Sequence, residues 1–207
     1  MGSGLRRRRR SEEHLAATEP VFAKLVGTLG PCTLPLRRRG DPFACLAKSI
    51  VSQMISTQAA RTVQARLEAR LGGEPSPARV LQAEASLRGV GLSRTKVGAL
   101  MALAEAVQSG LDLQALGRRP TPVVSEVLTE LPGIGPWTAN MFLMFHLGRP
   151  DVFPARDLGV QEGLRVAFKL PARPTAAAAR VRSEAWAPYR STAAWYLWRV
   201  LDGPAEL

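Results

Sequence analysis

The chain has 207 residues with 46% hydrophobic side chains, enough for one large domain or two intimate lobes around a real core. No apolar run approaches the roughly 20 residues needed to cross a bilayer, and the N-terminal arginines have no apolar segment behind them, which argues against a secretory signal. Net charge is +11, which points to a polyanionic partner, yet Arg6–Arg10 and Arg37–Arg39 supply eight of those charges and leave +3 for the rest.

Residues 1–15 read as a flexible, arginine-rich tail, either a solvated charge run or a non-specific phosphate tether. Beyond them the pattern is helical almost throughout, so residues 16–207 are expected to form an all-α domain. In "DPFACLAKSIVSQMISTQAARTVQARLEARLGG", Asp41 is a candidate N-cap and Pro42 fits the first helical position. Phe43, Leu46, Ile50 and Met54 recur at helical spacing, and a break is predicted near Gln53–Thr57. A further helix begins after Ser93 and stops by Gly110. Another starts at Thr121–Pro122, ends at Leu131 and restarts at Pro136, and two final helices flank Pro188.

Only Cys32 and Cys45 occur, too few for a disulfide framework or a four-cysteine cluster, and this fits a reducing cytoplasm. His14 and His146 stand apart and form no metal constellation; His146 reads as a packed residue near a helix end.

The connection "PGIG" carries the first functional signal. Gly133 and Gly135 permit backbone conformations closed to other residues, and Ile134 would plug the turn into the core. Pro136 then opens a helix whose first N–H groups and dipole favour a phosphate. With Pro132 and Thr138, these residues make the pattern of a helix-hairpin-helix motif, which binds the DNA backbone without reading sequence.

"LPGIGPWTANMFLM", "DVFPARDLGV" and "EAWAPYRSTAAWYLW" together resemble the helix-hairpin-helix DNA glycosylases, most closely 3-methyladenine DNA glycosylase II, the AlkA type. The resemblance runs from about residue 40 to about residue 201 and leaves no room for the N-terminal β domain of longer members. It implies two helical lobes, about 42–147 and about 16–41 with 148–207, with the hairpin at a DNA-binding cleft. It makes Asp157 the catalytic carboxylate in preference to Asp151, although Asp157 also reads as an N-cap. Trp137 and Trp198 match the pocket tryptophans, while Met141 stands where the AlkA type has an aromatic. Trp186, Tyr189 and Trp195 read as ordinary packing. Gln53 is implied to meet the orphaned partner base and Met54 to be the wedge, although Met54 also fits an apolar helical stripe. Ser56, Arg190 and Ser191 are weaker candidates for phosphate contacts or bracing.

The implied activity is monofunctional hydrolysis of an N-glycosidic bond in damaged duplex DNA, leaving an abasic site. Members that also cut the backbone carry a lysine where this chain has Trp137, so no Schiff base is expected. The resemblance implies a monomer without an iron–sulfur cluster, and it allows a monovalent cation at the hairpin carbonyls. A glycosylase for uracil or ethenoadenine, or a catalytically silent DNA-damage binder, remains as an alternative.

Overall fold

In the computed structural model, which describes residues 2–36 and 38–202, the chain divides into two compact units. A terminal unit comprises residues 1–37 and 148–207, and a central unit residues 38–147. The described residues form helices and turns and no strand. The terminal unit begins with α1 (Gly2–Thr18) and α2 (Pro20–Leu29). The central unit holds α3 (Pro42–Ser52), α4 (Thr57–Leu71), α5 (Pro77–Gln82), a 3-10 turn (Glu84–Val90), α6 (Arg94–Gln108), α7 (Leu113–Leu116), α8 (Thr121–Thr129) and α9 (Pro136–Met141). A π-turn (Phe142–His146) continues α9, and the chain then re-enters the terminal unit with α10 (Leu158–Ala167), α11 (Ala176–Ser183) and α12 (Arg190–Arg199).

α3 organises the central unit. Asp41 caps it by accepting the Ala44 N–H at 2.9 Å, and Pro42 occupies the first turn. Its Leu46, Ile50 and Val51 are fully buried, and it touches α4, α6, α7, α9 and the π-turn. Each such aliphatic side chain contributes about 1.5–3 kcal/mol by leaving water. The predicted break is real: α3 ends at Ser52, and Ser56 caps α4. Ser93 likewise caps α6, which ends two residues before Gly110. α8 stops at Thr129, two residues earlier than expected.

In the terminal unit, fully buried Trp186 packs against Phe22, Phe153 and Phe168, with ring centroids 5.2, 5.6 and 6.1 Å away. α10 lies against α12 so closely that a Cβ at Gly163 would collide with the Leu197 carbonyl.

Of residues 1–15, expected as a flexible tail, the described ones, 2–15, instead lie in α1. Gly4, Arg8, Ser11 and Leu15 follow helical spacing along its inner face: a Cβ at Gly4 would lie 3.5 Å from Leu36, and Ser11 and Leu15 are 5% and 0% exposed. Arg7 and Arg8 donate to the carbonyls of Leu36 and Leu34 at 2.8 and 3.2 Å. Only one residue of that stripe is a large apolar one, so hydrophobic periodicity gave no sign of it. Arg37 lies outside the described residues.

Candidate active site

Asp157 begins α10. It has extended backbone angles, φ −72° and ψ 124°, and its Oδ1 accepts the Val160 N–H at 2.7 Å, so the expected N-cap is formed. Capping alone does not account for the second bond: the Trp198 indole N–H donates to the same Oδ1, also at 2.7 Å. Trp198 reaches it because residue 159 is glycine, where a Cβ would lie 3.0 Å from the indole Cδ1 and 3.1 Å from Asp157 Oδ1. Gly159 and Gly163, one turn apart, thus let α12 carry an indole across the first turn of α10. Both Asp157 and Trp198 are half-buried, and Leu158 beside them is exposed.

α12 also fixes the start of the loop that leads to Asp157. Arg190 grips Asp151 with both arms of its guanidinium, Nε to Oδ1 at 2.6 Å and Nη2 to Oδ2 at 2.8 Å. That guanidinium holds the Asp151 carboxyl below the usual carboxylate range. The rival acid is therefore committed to an ion pair. One residue on, the Ser191 hydroxyl donates to the Arg149 carbonyl at 2.8 Å and accepts the Val152 N–H at 3.0 Å. Gln161 of α10 donates to the Ala155 carbonyl at 2.8 Å. Arg190 and Ser191 brace this loop.

The hairpin belongs to the central unit. Gly133 has φ +77°, and a Cβ there would lie 2.5 Å from Ala99 Cβ on α6, so both conformation and space require glycine. Ile134 is 3% exposed and plugs the turn as expected. Pro132, Gly133 and Pro136 are exposed, and Gly135 is half-exposed as the N-cap of α9. Thr138 is 1% exposed, and its hydroxyl accepts from the Gln53 amide. Trp137 is half-buried on α9, and Met141, one turn on, is 6% exposed.

Met54 is not part of a helical stripe. It lies beyond the end of α3, 91% exposed, with φ +55°, a conformation that residues other than glycine rarely adopt. The chain leading into this turn is tied down: Lys96 Nζ donates to the Val51 carbonyl at 2.7 Å, and Gln53 N–H to the Ile50 carbonyl at 3.3 Å. The Gln53 side chain, the candidate for an orphaned base, donates its amide to the Gly133 carbonyl at 3.0 Å and to the Thr138 hydroxyl at 2.9 Å. The exposed turn and the hairpin are thereby joined by one amide.

His146 is packed as expected, 1% exposed and stacked on Phe142, with Nδ1 2.8 Å from the Arg39 carbonyl; burial holds its imidazole below the usual histidine range. Burial pushes both the Cys32 and Cys45 thiols up to about 11, so neither is a ready nucleophile at neutral pH. Among the described residues, no group of three or more His, Cys, Asp or Glu is arranged to hold a metal, and no helix is long and apolar enough to cross a membrane. Features that the sequence reading missed include the Arg190–Asp151 grip, the Trp198–Asp157 bond and the Gly159/Gly163 contact. The four-residue spacing of those glycines in α10 was the available signal for the last of these.

Comparison with known proteins places these features in a family. Over 197 residues the chain is 34% identical to DNA-3-methyladenine glycosylase 1 of Schizosaccharomyces pombe, covering 92% of this chain and 86% of that protein. The solved structure of Schizosaccharomyces pombe 3-methyladenine DNA glycosylase (Mag1) in complex with abasic DNA matches with a TM-score of 0.87 at 32% identity, over 94% of this chain and 98% of that one. A DNA-3-methyladenine glycosidase from Bacillus halodurans matches with a TM-score of 0.75 at 33% identity, over 92% and 88% of the two chains. The model of the HhH-GPD superfamily matches residues 47–188, and the chain belongs to this superfamily of base excision DNA repair proteins.

Proposed function

We propose that the protein is a monofunctional DNA glycosylase that flips alkylated purines out of duplex DNA and hydrolyses their glycosidic bond, leaving an abasic site. The observation that carries this reading is the Asp157 carboxylate, held at the start of α10 by two N–H donors, one of them from Trp198. A base such as 3-methyladenine or 7-methylguanine already carries positive charge, so its departure needs little protonation. What must be stabilised is the cationic sugar, and a fixed carboxylate does that. The same group orients or deprotonates the attacking water. Aromatic faces suit a cationic base, which supports Trp137 and Trp198 as its pocket, with Met141 beside Trp137.

The hairpin, Pro132–Gly135 with the N–H groups that open α9, is the phosphate contact in this reading. Met54, exposed on its strained turn, is the wedge that fills the gap left by the flipped base. The resemblance allows a monovalent cation at the hairpin carbonyls, two of which accept hydrogen bonds: Leu131 from the Ile134 N–H and Gly133 from the Gln53 amide. No step is routed through an ion there. Duplex DNA is the partner, and the bacterial cytoplasm that holds it is the proposed compartment.

The test is base release from methylated duplex DNA, with abasic sites revealed by alkali, for the parent and Asp157→Asn. Asparagine keeps the helix cap, since it is as good an N-cap as aspartate, but removes the charge. The expected result is release by the parent alone, with DNA affinity and melting temperature nearly equal in the two proteins. Equal release would refute the role of Asp157, and release of uracil alone would redirect the substrate assignment.

A further inference from the structure

The arginine run needs its own account, because it is neither disordered nor part of the site just described. On α1, Arg6, Arg9, Arg10 and Glu13 have i, i+3, i+4, i+7 spacing and share the outward face, all exposed, opposite the docked stripe through Ser11 and Leu15. Arg9 pairs with Glu13 at 2.8 Å, and no other carboxylate among the described residues lies within ion-pair reach of Arg6 or Arg10. Glu12, the other acid of α1, is turned inward, accepting from the Cys32 N–H at 2.8 Å and the Tyr196 hydroxyl at 3.1 Å.

Two physical effects oppose this arrangement. Cations in the first half of a helix face the positive end of its dipole, and like charges one turn apart repel. Yet the helix is held firmly: Ser11 meets Thr192 of α12 at 3.3 Å, and Arg7 and Arg8 are tied to backbone carbonyls. The positive face also continues around one edge. The cavity beside α1 is lined by three guanidiniums, those of Arg7, Arg8 and Arg149, and by hydroxyls including Ser11 and Tyr189, with no carboxylate in its lining. A rigid face on which three arginines stand beside a single carboxylate, that of Glu13 already paired with Arg9, has a polyanion as its complement.

We propose that the outward face of α1 is a second DNA-backbone contact, a sequence-independent phosphate grip on the unit that carries Asp157 and separate from the hairpin. It rests on the proposed function only for the identity of the polyanion. The face has no aromatic among its outward residues to stack a base, so it takes phosphates of duplex DNA whether or not a lesion is present.

The test is the affinity of the full chain for an undamaged duplex as a function of salt, for the parent, the triple variant Arg6→Gln/Arg9→Gln/Arg10→Gln, and the triple Arg→Lys variant. Each phosphate contact contributes roughly 0.9 to the slope of log affinity against log salt. Two to three contacts mean that the parent should lose about 10- to 40-fold more affinity than the Gln variant between about 50 and about 200 mM salt. The Lys variant should keep a slope close to the parent's. Single-turnover excision from methylated duplex at saturating enzyme should be equal in all three. Equal salt slopes in parent and Gln variant would overturn the proposal whatever the excision result. A parent that bound with the steep slope yet released no base would count against the glycosylase reading and leave the α1 contact standing.

Discussion

Replacing Trp198 with phenylalanine keeps an aromatic face and removes one N–H. The indole donor lies 2.7 Å from Asp157 Oδ1, whose other donor, the Val160 N–H at 2.7 Å, remains in the variant. Hydrogen bonds to charged groups contribute about 1.5–3 kcal/mol, and the half-exposure of both partners places this one at the lower end. If the bond aims the carboxylate at the developing sugar cation, its loss appears in the chemical step: about 1.5 kcal/mol, roughly a tenfold fall in rate. The assay is single-turnover release of 3-methyladenine from methylated duplex at saturating enzyme, with affinity for an abasic duplex measured alongside. The expected pattern is a tenfold slower step with affinity unchanged, and a larger loss for Trp198→Ala, which also removes the stacking face. A phenylalanine variant that excised at the parental rate would refute the positioning argument.

Met54→Gly should raise stability by about 1 kcal/mol, because glycine adopts positive φ without strain, while base excision falls with loss of the side chain proposed as the wedge. Chemical denaturation and excision assays on the same preparation check both halves. Asp151→Asn tests the Arg190 pair through pH. The depressed folded-state value means that the pair stabilises above the ordinary aspartate range and that this stability is lost as pH falls through the folded value. The melting-temperature gap between parent and variant should therefore be constant above about pH 5 and shrink below about pH 4. Gly163→Ala places a methyl against the Leu197 carbonyl, with backbone on both sides, so a loss of about 3 kcal/mol or more is expected by denaturant titration. An unchanged midpoint would mean that α10 and α12 separate more easily than their contact implies.

What the sequence made legible follows from how locally each feature is encoded. Asp41, Ser93 and the PGIG turn act within four residues of themselves, so caps and hairpin could be read directly. The Asp157 cap was equally local, and the resemblance singled out its carboxylate. The Trp198 bond was not legible, because it spans 41 positions and depends on the absence of a side chain at Gly159. The partners of Gln53 were hidden for a similar reason: Gly133 and Thr138 lie 80 and 85 positions away. Met54 fell on an apolar stripe only if the helix continued, and the helix stopped two residues earlier. α1 was hidden by composition, since arginine, serine and glycine hold its inner face and helical periodicity is sought in apolar residues.

The double duty proposed for Asp157, cap and catalytic carboxylate, carries an evolutionary consequence. With the chemical role proposed for it, the carboxylate that caps α10 would be filtered twice by selection, once for chemistry and once for folding. Loss of the cap to alanine costs about 1 kcal/mol, a large share of a marginal stability. A lineage that abandoned catalysis but kept the protein folded would be steered toward asparagine or serine at this position, which preserve the cap and discard the charge. The residue that replaces aspartate in a descendant is therefore a record of why it was lost: asparagine or serine marks relaxed selection on activity in a chain still selected to fold, and alanine marks a chain released from both.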